Sequence, residues 1–239
     1  MYSDAQAADL YNVLNPWGAS DTFYLALAMD ASSVLDIGCG TGTMLHRARA
    51  AGHTGRLVGV DPDGAALAIA RRRADITWVE ATAASMPWKR QFDLAVMMNH
   101  TFQFLIRDEE LRASLAAIRN ALADGGRFAF ETRNPDVREW ETWTPDQPID
   151  VIDSAGSALR ISYRVLSVID DVVTLTETTS DRDGDVLRVD EASLRFLDVE
   201  TLTGVLIGEG FSIESQQGDW SGGSLGRDNR EIITVTRRV

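Results

Sequence analysis

Val34-Leu35-Asp36-Ile37-Gly38-Cys39-Gly40-Thr41-Gly42 is the stretch on which the fold turns. A short β-rich run meets three alternating glycines and then a helical segment, Thr43 to Ala51. Glycine accepts the positive φ of a sharp strand-to-helix turn and lets a ligand approach where a Cβ would clash. The first N–H groups of the helix lack partners within it and are open to polar ligand atoms. Open α/β sheets bind ligands at such a turn. Taken alone, the run describes a tight structural turn equally well, so the flanking segments must decide.

Outward from it the pattern is strand, helix, strand. Arg56 to Val60 is a second β-rich run, followed by helix over Gly64 to Ala74. Ile76–Val79 and Phe92–Met97 are the third and fourth. Asp108 to Ala123 predicts an amphipathic helix with Leu111, Leu115, Ile118 and Leu122 on one face, a cap at Asp108 and an end at Gly125-Gly126. Arg127–Glu131 is the fifth strand. A helix over Glu200–Glu209 and strands at Phe211–Gln216 and Glu231–Thr236 close the chain. Helix–strand alternation predicts an α/β fold, a doubly wound, Rossmann-like and mainly parallel seven-stranded sheet. Residues 1–30 read as two helices, Asp9–Leu14 and one capped by Ser20 or Asp21 that runs to Asp30. Leu159–Ile169, Val172–Thr179 and Val186–Leu197 alternate in polarity around turns at Asp170-Asp171 and Asp183-Gly184. They predict a small antiparallel β insertion, residues 145–198, after strand 5. No repeat or linker divides the chain, and a single domain over 1–239 is expected.

The 239 residues are 44% hydrophobic and 25% charged, as in a soluble globular protein. Lys plus Arg is 23 against 36 Asp plus Glu, a net charge of −13. That balance disfavours nucleic acid and anionic membrane as partners. The one cysteine, Cys39, cannot form an internal disulfide. His46, His53 and His100 show no metal-ligand spacing, so no metal is expected. No apolar run approaches the roughly 20 residues of a membrane span. Met1-Tyr2-Ser3-Asp4 lacks the basic start of a signal peptide, and a cytoplasmic protein is the expectation.

Asp61 ends the second strand nineteen residues after Gly42. An acid there accepts the hydroxyls of a ribose. The alternative is that it only caps the helix at Gly64. A dinucleotide fingerprint needs a third glycine, and Thr43 stands in its place. Asp36, inside the strand end, is out of place beside a pyrophosphate and suits a cation: the amino group of a methionine moiety, or the surroundings of a sulfonium.

With Val60-Asp61-Pro62, Phe92-Asp93-Leu94-Ala95-Val96 and Leu122-Ala123-Asp124-Gly125-Gly126-Arg127-Phe128, the glycine run resembles the motifs of class I S-adenosylmethionine-dependent methyltransferases of the small-molecule type. The resemblance covers most of the chain. It implies cofactor contacts from Asp36, Gly38, Cys39, Gly40, Thr41 and Gly42, a ribose site at Asp61 and Pro62, and Met98 and Asn99 beside the methyl group. It also implies that the N-terminal helices form a lid, bringing Tyr11, Trp17 and Tyr24 toward the cofactor; each is otherwise a packing aromatic. The third motif departs from the family. Ala81-Thr82-Ala83 stands where many relatives carry Gly-Asp-Ala, which leaves the Thr82 hydroxyl and the Ala83 N–H to meet the adenine. Met98-Asn99-His100 is not the Asn-Pro-Pro-Tyr of enzymes that methylate DNA amines or amides.

His100 has the residue chemistry of a general base. The competing reading is a histidine that hydrogen-bonds the backbone and shapes the pocket. Gln103 either orients substrate or is an exposed polar residue. Arg133 and Asn134 leave the fifth strand where a substrate would sit. Arg133 suits a carboxylate or phosphate, or pairs with Glu131 or a lid acid. Trp140, Trp143 and Trp220 are pocket walls or core. Cys39 lacks a positioned base and reads as a small loop residue. The expected activity is N- or O-methylation of a small-molecule acceptor by S-adenosyl-L-methionine, with S-adenosyl-L-homocysteine as product and alignment as the main catalytic device. The expected assembly is a monomer or homodimer. A nicotinamide-dependent oxidoreductase and a catalytically silent cofactor-binding protein are the alternatives.

Overall fold

A computed structural model describes residues 2–239. The central sheet has seven strands: β1 (Ser33–Ile37), β2 (Arg56–Asp61), β3 (Thr77–Glu80), β4 (Phe92–Met97), β5 (Leu122–Arg133), β10 (Phe211–Gln217) and β11 (Glu231–Arg238). Their order is β10-β11-β5-β4-β1-β2-β3. All pairings are parallel except those of β11, which runs against both β5 and β10. The order reverses at β1, which pairs with β2 on one side and β4 on the other, so the glycine turn leaves the sheet at its switch point.

Both faces are covered, as a parallel sheet requires. Leu111, Leu115 and Ile118 of α5 (Asp108–Ala121) and Leu202 and Leu206 of α6 (Val199–Gly208) pack on one face against Leu35, Phe92, Phe128 and Phe130. On the other, Tyr24 and Ala28 of α2 (Ala19–Met29) and Met44 and Leu45 of α3 (Thr43–Ala50) pack against Val34, Leu94, Val96 and Ala129. That second face carries the acidic residues of the site.

The insertion is a four-stranded antiparallel sheet, β6 (Ile149–Ile152), β7 (Ala158–Ile169), β8 (Val172–Asp181) and β9 (Val186–Arg195). Three of these strands were expected. The fourth, β6, is short, mostly exposed and follows Pro148, so it carries no alternation to read. Leu159 and Ile161 of β7 pack against Tyr2 and Leu10, so α1 (Asp4–Leu14) lies on the insertion. The Arg188–Asp4 ion pair at 2.6 Å and the Tyr2 hydroxyl donating to Asp153 at 3.3 Å fasten it there. From its other side Asn12 accepts a 2.7 Å hydrogen bond from the Thr41 hydroxyl in the glycine turn. Helix α1 thus bridges the insertion and the turn.

Several ends differ from expectation. Helix α2 is capped at Gly18, whose N–H donates to Asp21 at 2.8 Å; neither Ser20 nor Asp21 is the cap residue. Helix α4 (Gly64–Ala70) stops four residues early, and Asp63 caps it by accepting from Ala65 and Ala66. Asp108 is not the cap of α5: Arg107 holds that position, and Asp108 pairs with Arg195 at 2.7 Å. The helix ends at Leu122, ahead of Gly125-Gly126, because the chain is already paired as β5 from Leu122 onward. At α5 a partner distant in sequence overrides the local signal, Arg195 at its start and β4 at its end.

Ile161 is fully buried beneath α1. Ile161→Ala lowers unfolding stability by about 2–5 kcal/mol, measured by chemical denaturation, and raises amide exchange in α1 more than in α5.

Candidate functional site

Gly38, Gly40 and Gly42 all have positive φ, at 71°, 52° and 77°. Gly38 lies against Thr101 and Gly42 against the Trp78 ring, so neither has room for a Cβ. Gly40 differs: nothing lies within 4 Å of where its Cβ would be. Its backbone faces open space at the start of α3, a cradle for a ligand approaching the turn.

Asp61 closes the turn from the side. Its carboxylate accepts the Gly40 N–H at 2.7 Å and the Asp63 N–H at 2.8 Å. Asp63, not Asp61, caps α4. The helix-capping alternative for Asp61 is therefore set aside; it braces the glycine turn at the end of β2. Burial raises its pKa, and these backbone donors partly offset that.

Asp36 is 2% exposed. Among the described residues no Lys, Arg or His lies within ion-pair distance of it. Burial, then the charge of Asp61, push its pKa up to about 8. A buried carboxyl with no cation of its own fits the cationic end of a ligand. Glu131, from the same sheet face, is 1% exposed. It accepts the Tyr24 hydroxyl and, at 3.1 Å, the His100 N–H. Burial raises its pKa too.

After β4 the chain turns through two left-handed residues, Asn99 (φ 54°) and His100 (φ 60°). The His100 Nε2 lies 2.9 Å from the Glu231 carboxylate at the start of β11. Glu231 sits directly across from Arg133 of β5. The Tyr11 hydroxyl lies among Asn99, Glu131 and Arg133, although 43% of the residue stays exposed. Burial, with the charge of Glu131, pushes its pKa up to about 12.

The structure thus brings Asp36, the glycines, Asp61, Asn99, His100 and Tyr11 to one edge of the sheet. Other expected residues serve differently. Gln103 is fully buried, not exposed. Its carbonyl accepts from the Arg133 N–H and guanidinium, both at 3.2 Å, and its amide donates to the Arg195 carbonyl at 3.0 Å. Arg133 pairs with Glu139 at 3.1 Å, not with Glu131 or a lid acid, and lies over the Trp143 ring. Asn134 spends its side chain on the carbonyls of Gly226, Arg227 and Asn229 and the Asp136 N–H. Trp17 donates to Thr22 and carries Arg47 over its ring. It lines a separate cavity of about 540 Å³ with Phe23 and Trp220. Trp140 packs on Phe196, and Trp220 on Phe23 and Tyr24.

Met98 is buried, and its carbonyl accepts from Thr101. Pro62 is exposed beyond β2. The Thr82 hydroxyl donates to Ser85, and the Ala81 N–H to the Asp61 carbonyl, beside Ala83. The Cys39 thiol lies near Gly59 in buried surroundings that raise its pKa, which makes it a poor nucleophile.

Glu131, Glu231 and Asn12 were not singled out from sequence. A lone acid between Phe130 and Thr132 was the available signal for Glu131. Glu231 and Asn12 gave none, because only the fold brings them to the site.

Residues 34–126 match the family described as methyltransferase domain. A 2-phytyl-1,4-naphtoquinone methyltransferase from Thermosynechococcus vestitus is 31% identical over 137 residues, covering 52% of this chain and 59% of that protein. The chain therefore spans less than two thirds of that relative. A cypemycin N-terminal methyltransferase from Streptomyces is 25% identical over 225 residues, covering 88% of this chain and 84% of its own. Among solved structures, an amino pentose methyltransferase from Micromonospora echinaspora with S-adenosylmethionine bound superposes with a TM-score of 0.70. It is 21% identical and covers 100% of this chain and 98% of its own. That likeness shows the fold.

The buried carboxyl of Asp36 makes stability depend on pH. The folded state keeps its proton where the unfolded state has lost it, between 3.8 and about 8. Its contribution is present below 3.8 and is lost as pH rises through about 8. One pKa unit is about 1.4 kcal/mol, so Asp36→Asn gains several kcal/mol on the wild type across that window. Urea melts of both proteins at its two ends check this: the gap opens with rising pH.

Proposed function

We propose that this chain, whose residues 34–126 match a methyltransferase domain, transfers a methyl group from S-adenosylmethionine to an amine of a small molecule. The observation that carries the reading is the acidic edge beside the glycine turn. Asp36 and Glu131 are buried there with no Arg or Lys partner among the described residues, and Glu231 stands on His100. Arg133, the cation that would favour a carboxylate or phosphate, is held by Glu139 and Gln103.

Asp36 would hold the amino group of the cofactor's methionine moiety, Asp61 its ribose hydroxyls, and the backbone at Gly40 would take its close approach. Thr82 and Ala83 would meet the adenine. When bound, the cofactor supplies a methyl group already activated on a sulfonium. The protein's task is alignment, which is worth about 7–11 kcal/mol when the geometry is good. Carboxylates and tyrosine rings stabilise positive charge at this edge. An acceptor amine must also be neutral to attack. A neutral imidazole that gives its Nε2–H to Glu231 keeps a lone pair on Nδ1, so His100 can take the amine's proton there.

Two of the relatives support an amine by their names, the N-terminal methyltransferase and the amino pentose methyltransferase. Transfer of labelled methyl from S-adenosylmethionine to panels of primary amines, alcohols and carboxylic acids tests the reading. Amines are the expected acceptors, and His100→Ala lowers kcat on them by about a hundredfold. Labelling of carboxylic acids alone would overturn it.

A further inference from the structure

Glu131 does more than contribute negative charge. It is a buried carboxylate with its hydrogen bonds directed to two separate elements. One oxygen accepts the His100 N–H at 3.1 Å, and the other accepts the hydroxyl of Tyr24, a fully buried residue of α2. The residue it holds is the second of two consecutive left-handed residues, neither of them glycine. Such a turn costs on the order of 1 kcal/mol or more per residue and persists only where its surroundings fix it. The His100 imidazole is fixed in turn by Glu231, one strand away. Among the described residues, the hydrogen bond from α2 to Glu131 is that of Tyr24.

We infer that Glu131 is a positioning residue: it holds the Asn99–His100 turn by the His100 N–H, and Tyr24 holds it, so that docking of α2 sets where the His100 imidazole stands. This rests on the reading of His100 as the base, but the geometric half does not. Tyr24 acts only through Glu131. Glutamine keeps an acceptor for the His100 N–H and a group for Tyr24, whereas methionine keeps the length and loses both.

The test uses Glu131→Gln, Glu131→Met, Tyr24→Phe and the double variant Tyr24→Phe/Glu131→Met in the full chain. Two readouts are taken: amide exchange at His100 and Gly40, and kcat and KM for the primary amine of the panel that the wild type labels fastest. In Glu131→Met the His100 amide exchanges about tenfold faster or more, while Gly40 is unchanged. With misplacement of an ångström worth up to about a hundredfold, kcat falls by about ten- to a hundredfold and KM stays within about threefold. Glu131→Gln restores most of that loss. Tyr24→Phe lowers kcat by a smaller factor in the same sense, and the double variant is no worse than Glu131→Met, as coupled residues require.

Unchanged exchange at His100 in Glu131→Met would overturn the inference. So would equal losses in Gln and Met, which would make charge the agent, or additive losses in the double variant. If the wild type transfers no methyl group, the function proposed above fails, and the exchange measurement still decides whether Glu131 holds the turn. If Glu131→Met does not fold, Tyr24→Phe carries the test: it must loosen the His100 amide, and unchanged exchange there would count against the inference.

Discussion

The hydrogen bond from the Gly40 N–H to Asp61, 2.7 Å long, is the contact on which the site depends. It joins the turn after β1 to the end of β2. Gly38 and Gly42 are held by packing and by backbone bonds of their own, whereas Gly40, with open space beside it, is held by this bond. With it, the backbone is fixed with open space at Gly40 and the Asp36 carboxyl behind. The same carboxylate takes the Asp63 N–H, so the start of α4 is set by the group that sets the turn. Asp63 then caps α4, and α4 and β3 follow in order.

Around that fixed point the rest of the structure builds an enclosure with an acidic bias. The covered sheet face places Asp36, Glu131 and Glu231 at the ends of β1, β5 and β11, beneath α2. Burying carboxylates is unfavourable unless something stabilises them; here Glu131 has the His100 N–H and the Tyr24 hydroxyl, and Glu231 has the His100 imidazole. The arginines of β5 and β9 are engaged in pairs of their own, Arg133 with Glu139 and Gln103, Arg188 with Asp190 and Asp4, Arg195 with Asp171 and Asp108. Arg188 ties α1 to the insertion, and Arg195 ties the insertion to α5. The arginines therefore organise the surrounding elements, and among the described residues Asp36, Glu131 and Glu231 are left without an arginine partner.

How much of this was legible in the sequence follows from how local each signal is. The glycine turn, the strand alternation and the face of α5 are repeated locally, and all three hold in the structure. Asp36 and Asp61 could be read because each ends a strand beside the turn. Element ends were less legible, since Arg195 claimed Asp108 and the pairing of β5 with β4 claimed Leu122. The substrate side was the least legible. Gln103 and Asn134 look like free polar residues one at a time, yet each is fully engaged with backbone more than ninety residues away at Arg195 and at Gly226, Arg227 and Asn229. Glu231 reaches His100 only because β11 returns beside β5, a contact across 131 positions that no local pattern encodes.

The central claim is that the turn braced by Asp61 is a binding site for the adenosyl cofactor. Calorimetric titration with S-adenosylhomocysteine, of the wild type and of Asp61→Ala, tests it most directly. Saturable one-to-one binding in the wild type, weakened about tenfold or more in the variant, is the predicted result. No binding to the wild type, or equal affinity in the two proteins, would contradict it.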